Sequence, residues 1–174
     1  YFVTQRDEGE FVSGSAMAVI REGSRPIIAE IESLVSKSYM PYPSRIGEAL
    51  KREQLNTLIS ILEQRGGINL FDKNVVIKST GGIMLREPAV SLAVLISIAS
   101  SVLEKAVKGK TAFIADVGLT GEIKKVPGLE GRIKELDRMG FDRVFVAKDS
   151  VKVKTENIKI VEEKYLKDVI KDAF

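Results

Sequence analysis

Nucleophilic chemistry in this chain has to be built from hydroxyls and lysines. The 174 residues include no cysteine and no histidine. That removes a thiol nucleophile, a zinc site of the Cys/His type and a Ser-His-Asp triad together. The remaining route pairs a hydroxyl with a lysine. The hydroxyl must sit near a helix N-terminus, where exposed backbone N–H groups can stabilise an oxyanion. The lysine must be buried enough to lose its charge and accept the hydroxyl proton. One segment has a shape suited to this, Gly81-Gly82-Ile83-Met84-Leu85-Arg86-Glu87-Pro88-Ala89-Val90-Ser91-Leu92-Ala93, in which a Gly-Gly turn leads into a Pro-started apolar helix. The residue after the proline is Ala89, which offers no nucleophile. Ser91 does not replace it, because two residues along a helix turn a side chain to nearly the opposite face. A diverged peptidase using Ser91 or Thr120 stays open as an alternative.

Other motifs are weaker. Gly109-Lys110-Thr111 resembles the end of a phosphate-binding loop, but that motif needs a glycine where the chain has Glu104, and it must run from strand into helix. Here a helix precedes and a strand follows, so an ordinary helix-to-strand turn is expected. Gly118-Leu119-Thr120-Gly121 reads as a tight turn rather than a dinucleotide fingerprint. Carboxylate-only sites for Mg²⁺ or Ca²⁺ remain open in principle, although no Asp-rich calcium loop is present.

The elements that must position these residues follow from periodicity. Residues 12–20 and 26–35 form a hairpin around Glu22-Gly23-Ser24-Arg25. Residues 37–46, with Pro41, Pro43 and Ser44, read as a loop. Leu50, Leu55, Leu58, Ile59 and Leu62 recur at helical spacing over 48–64, and Gly66-Gly67 supplies a left-handed stop. A short β-branched strand covers 74–80. Proline at the first helical position starts a second helix over 88–107, since that N–H has no intrahelical partner anyway. Strands are expected over 111–117, 122–126, 143–147 and 158–161, with helices over 128–139 and 165–174. The alternation predicts a single α/β domain, 1–174, with a mixed sheet and packed helices.

Composition bounds the rest. Hydrophobic residues make up 44% and charged residues 29%, with a net charge of +3 and a pI near 9.0. This permits a weak preference for polyanions and demonstrates none. The longest apolar run, 89–99, contains two serines and is too short to span a bilayer. Absence of cysteine suits a reducing, cytoplasmic setting, and many Lys and Glu with few Asn and Gln hint at a thermophilic source. Because the chain opens on Tyr1, the expectation is a C-terminal piece of something longer, with residues 1–11 as a connector.

The stretch from Gly81 to Ala99, then Thr120-Gly121-Glu122-Ile123, then Gly128-Leu129-Glu130 through Gly140-Phe141-Asp142-Arg143-Val144, resembles the proteolytic domain of the Lon family. The resemblance places the family's catalytic serine at Ala89 and its lysine at Glu130, with a small gap near 124–127. Both substitutions disable the dyad, which implies that Ala89→Ser alone restores no proteolysis. A closer resemblance covers nearly the whole chain: the Lon-like C-terminal domain of the RadA (Sms) family of bacterial DNA repair proteins. It rests on Val12-Ser13-Gly14-Ser15, Glu22-Gly23-Ser24-Arg25-Pro26-Ile27-Ile28-Ala29-Glu30-Ile31, Pro43-Ser44-Arg45, Glu87-Pro88-Ala89-Val90-Ser91-Leu92-Ala93 and Asp116-Val117-Gly118-Leu119-Thr120-Gly121-Glu122-Ile123. Arg132, Met139-Gly140-Phe141 and Arg143-Val144 fit the later helix and strand. Lys51-Arg52-Glu53-Gln54 departs from the family's wording at the first helix.

This resemblance implies a catalytically inactive domain of a hexameric, DNA-dependent ATPase that promotes branch migration during recombinational repair. ATP, Mg²⁺ and Zn²⁺ would belong to N-terminal motor and finger domains, and this domain would scaffold the ring and line a channel for single-stranded or branched DNA. A channel that tracks phosphates needs only Lys and Arg projecting into it. The residues considered for that role are Arg25, Arg45, Lys51, Arg52, Arg86, Lys124 and Lys125. Glu130 and Lys134 are expected to be a surface i,i+4 pair. A protein–protein docking module for repair factors is the remaining alternative.

Overall fold

A computed structural model describes residues 1–7 and 9–174. Glu8, inside the expected connector, lies outside the described residues. The chain begins with a hairpin, β1 (Ser15–Glu22) and β2 (Arg25–Lys37), whose turn is Gly23-Ser24. Then come β3 (Arg45–Gly47), α1 (Arg52–Gly66), β4 (Lys73–Ser79) and α2 (Ser91–Leu103). The second half holds β5 (Thr111–Phe113), β6 (Asp116–Val117), β7 (Ile123–Lys124), α3 (Leu129–Arg138), β8 (Arg143–Ala147), β9 (Lys159–Glu163) and α4 (Leu166–Ala173). Seven strands form one mixed sheet in the order β3-β4-β2-β1-β5-β8-β9, with β6 and β7 as a separate hairpin. The fold is α/β with a mixed sheet, as the alternation of elements predicts.

The sheet separates two apolar layers because successive strand residues point to opposite faces. Ala16, Ala18 and Ile20 of β1 join Leu55, Leu62, Leu92, Leu95 and Val169 on the face covered by α1, α2 and α4. Val19, Ile28, Ala112 and Val144 join Leu129, Ile133 and Leu136 of α3 on the other. Helix α2 is buried along its first ten residues. The serines near its C-terminal end are hydrogen-bonded into the fold. Ser97 Oγ lies 2.5 Å from Ser33 Oγ, Gly14 N donates to Ser100 Oγ and Val35 N donates to Ser101 Oγ. Ser101 thereby satisfies a β2 backbone N–H, while Ser97 holds the Ser33 side chain and Ser100 the residue before β1.

Several boundaries differ from the periodic reading, each for a local reason. Helix α1 starts at Arg52 rather than 48, because Glu48 N donates to Ile77 O and Leu85 N donates to Ala49 O, holding 48–50 in a bend outside the helix. Leu50 is buried before the helix begins. The segment after Glu87 opens with a 3₁₀ turn, Pro88–Val90, and α2 stops at Leu103 rather than 107 because Glu104 is left-handed (φ 53°). The expected strand 111–117 breaks after Phe113, where β6 leaves the sheet to pair with β7. Residues 45–47, read as loop or helix lead-in, form the sheet-edge strand β3 beside β4.

At the opposite edge, Glu163 of β9 faces Asp172 and Asp168 of α4. Burial, a hydrogen bond with Asp172 and both negative charges push its carboxyl up to about 7. Between the ordinary carboxylate value of about 4.5 and about 7, the folded chain keeps a proton that the unfolded chain has released. Stability from this group is therefore complete below that window and lost as pH rises through it. Thermal melts of Glu163→Gln should show a smaller loss of Tm between pH 5 and pH 8 than the parent. Equal pH dependence in both would show that the carboxyl is ordinary.

Candidate functional site

Ala89 lies in the 3₁₀ turn before α2 and is buried in the same apolar layer as Val126, Leu129 and Ile133. The N–H groups that could stabilise an oxyanion here are engaged by protein carbonyls. Val90 N donates to Glu87 O, Ser91 N to Pro88 O, and Leu92 N to Ala115 O at 3.1 Å. Glu130 does not face this position. Its carboxylate is 57% exposed and bonds Lys134 at 2.9 Å on the outer side of α3, the surface pair its spacing predicts.

Another residue from α3 reaches the segment before Ala89. Arg132 is 3% exposed and donates to Val19 O at 2.6 Å and to Pro127 O at 3.1 Å. It also pairs with the Glu87 carboxylate, whose second oxygen accepts from Arg21 N at 3.2 Å. A guanidinium carries donors only and has no lone pair with which to take a proton. The local geometry therefore gives a charged clamp between α3, β1 and the turn, in which Arg132 cannot act as a general base. Sequence reading matched Glu87 and Arg132 to a family pattern without giving them a role. The available signal was Arg132 sitting on the apolar stripe of Leu129, Ile133 and Leu136, where an unpaired charge would be costly.

Helix α3 is positioned by Gly128, left-handed at φ 66°, against which the Arg21 guanidinium packs closely enough that a Cβ would collide with it. A side chain at 128 would displace both the helix start and Arg21.

A cleft of about 450 Å³ opens beside the Pro88–Val90 turn, between α1 and the β6–β7 hairpin. Arg86, Lys124, Ser91 and Asp116 line it, with Gln54 and Thr57 of α1 opposite. The structure thus brings Arg86 and Lys124 together, with exposed Lys125 next along the chain. Exposed Lys51 and Arg52 begin the helix that carries Gln54, and the Leu85–Ala49 hydrogen bond fixes their segment beside Arg86. Lys51 occupies the N-cap and makes no side-chain cap bond, so two cations stand at the positive end of the helix dipole. Arg25 is the first residue of β2 at the hairpin turn, at the same end of the sheet. Arg45 differs from expectation. It opens β3 at the other end, half-buried, with Nη2 donating to Leu70 O at 2.8 Å, so it is not a free loop cation. Thr120 is exposed in its turn and shares its hydroxyl with Glu122. Lys110 and Thr111 of the Gly-Lys-Thr run bond Met139 O and Lys108 O and open β5, which is no phosphate loop.

No protein-family model matches the chain. Similarity to curated proteins is extensive. The DNA repair protein RadA of Streptococcus pyogenes is 39% identical over 150 residues, 86% of this chain. RadA of Streptococcus pneumoniae is 34% identical over 175 residues, 99% of the chain, and RadA of Bacillus subtilis 37% over 145 residues, 83% of it. The chain is a RadA-type domain. It spans 33%, 41% and 31% of those three relatives' lengths, so it corresponds to one part of a RadA protein. Among the described residues, no helix of this RadA-type domain is long and apolar enough to cross a membrane.

Proposed function

We propose that this domain belongs to a DNA repair protein and acts there as a non-hydrolytic scaffold that engages DNA. What supports this reading is that Ala89 and an exposed Glu130 stand at the positions the resemblance gives to a serine–lysine dyad, beside a buried Arg132–Glu87 clamp. In the fuller reading the domain is the C-terminal part of a cytoplasmic, DNA-dependent ATPase that drives branch migration. Copies of it would build a homo-oligomeric, hexameric ring beneath their own RecA-like motor domains, and single-stranded or branched DNA would pass through. The cations Arg25, Lys51, Arg52, Arg86, Lys124 and Lys125, gathered toward one end of the sheet, support a phosphate-tracking surface. Phosphate contacts of this kind give affinity without sequence preference.

The test measures binding of labelled single-stranded DNA across a salt series, with light scattering for mass and casein hydrolysis for peptidase activity. Reversing Arg86 and Lys124 to glutamate should weaken binding and lower the log–log salt slope by about 1.4, roughly 0.7 for each lost phosphate contact. Unchanged affinity would move the reading toward a docking module for repair factors. Ala89→Ser should leave casein intact, because Glu130, and no lysine, occupies the position that the resemblance gives to the base. A second reading, an active peptidase, draws on Ser91 and Lys124 lining one cleft. Casein turnover abolished by Ser91→Ala would establish it and defeat the scaffold reading.

A further inference from the structure

The end of the sheet opposite the cleft carries a second cluster that the proposal above leaves unused. The loop after β2 exposes Tyr39 at 87% and Tyr42 at 88%, and Phe71, just before β4, is 68% exposed. These large rings are not on mobile tails. Ser38 N donates to Asp72 O at 2.7 Å, Ser44 N to Asn74 Oδ1 at 2.8 Å, and Arg45 Nη2 to Leu70 O at 2.8 Å. Those bonds lace the two loops into one surface and hold the rings against solvent, where apolar area is unfavourable without an occupant.

The charge pattern repeats this unfavourable choice. Lys37 and Lys73 are direct cross-strand partners at the ends of β2 and β4. Like charges directly opposite one another destabilise a sheet. Lys37 lies 5.8 Å from the Tyr39 ring, close enough for a cation–π contact. Asp72 is the one acid within the laced loops and stands 3.6 Å from Lys73, which leaves the positive charges of Lys37 and Arg45 unmatched locally. Arg45 Nε and Asp72 Oδ1 are also the two buried side-chain polar atoms lacking a hydrogen bond among the described residues. Exposed rings interleaved with cations suit one ligand chemistry in particular, stacked bases joined by phosphates.

We infer that this loop cluster is a stacking platform for single-stranded nucleic acid, in which Tyr39, Tyr42 and Phe71 receive bases while Lys37, unmatched beside the Tyr39 ring, neutralises a neighbouring phosphate. The inference rests on the DNA-binding reading and deepens it by naming the strand state and a second contact region. A base stacks on an aromatic face whatever its identity, so the platform predicts little sequence preference.

The decisive comparison uses a fluorescein-labelled thymidine oligonucleotide and an abasic strand of equal length, titrated into the 174-residue chain. Tyr42→Ala and Phe71→Ala should each weaken oligonucleotide binding by about 5-fold to 100-fold while leaving abasic binding unchanged. Lys37→Gln should weaken both ligands and reduce the salt slope by about 0.7. Aromatic variants that bind the oligonucleotide like the parent overturn the platform, while loss in the Arg86/Lys124 reversal would leave DNA engagement standing. A fall in molecular mass by light scattering on Tyr42→Ala also overturns it, since the rings would then be a contact between copies. Absence of any salt-dependent binding by the parent overturns both readings together. All three rings are exposed, so circular dichroism should report native folds for these variants.

Discussion

Arg132→Met should lower the unfolding free energy by about 3 kcal/mol, the lower end of the range for breaking a buried ion pair. The lower end is expected because Glu87 keeps 27% of its side chain exposed and can recover some hydration. Methionine matches the length of the stem but withdraws the guanidinium from three acceptors: Val19 O, Pro127 O and Glu87, which keeps only Arg21 N. Those acceptors sit on three different segments, so the loss is felt as loosening of α3 against β1 and the turn that carries Ala89. For a domain of this size the change corresponds to a fall in Tm of roughly 6–12 °C. Glu87→Gln should have a smaller effect, because Arg132 retains both backbone carbonyls. A double-mutant cycle by chemical denaturation would then isolate the coupling between the two side chains. A loss below about 0.5 kcal/mol for Arg132→Met would show that the clamp contributes nothing to stability.

Glu30→Gln should cost about 2–3 kcal/mol and free the N-terminal segment. The Glu30 carboxylate is fully buried on β2. It accepts from Ser15 Oγ at 2.5 Å, Thr4 N at 2.8 Å and Arg6 Nη1 at 2.8 Å. Burial alone would raise its pKa, but the hydrogen bonds from Ser15, Thr4 and Arg6 outweigh it and hold the carboxyl below its usual range. The unfolded chain therefore takes up a proton at a higher pH than the folded one does. This stabilisation is complete above the unfolded carboxyl value of about 4.5 and disappears as pH falls through the lower folded value. Acid unfolding of Glu30→Gln should lose this component of its pH dependence, and amides of residues 2–6 should exchange faster with deuterium. Unaltered exchange there would show that Phe2, whose backbone bonds Ile28 O and Glu30 N, anchors the segment without the carboxylate.

Periodicity alone determined the class of this protein and most of its elements. The hairpin around Gly23-Ser24, the apolar stripe of α1, its left-handed stop at Gly67 and the parallel strand β8 follow from local rules that tertiary packing did not override. That Ala89 and Glu130 cannot themselves form a serine–lysine dyad was equally legible, because chemistry depends on residue type. Where β3 lies and why α1 starts late depended on hydrogen bonds to Ile77 and Leu85, partners far away in sequence, whereas β6 leaves the sheet for the nearby β7. Site geometry was least accessible of all. A one-dimensional pattern records that Arg132 interrupts an apolar stripe, but only the packed layers show Glu87, Val19 and Pro127 converging on it. The same holds for Tyr39, Tyr42 and Phe71, ordinary aromatics in the sequence that become one surface because two distant loops are laced together at the end of the sheet. Residue type decides which chemistry is available, whereas long-range closure decides which groups share a surface. No local propensity encodes the latter, because the partners are brought together only by the burial of both sheet faces.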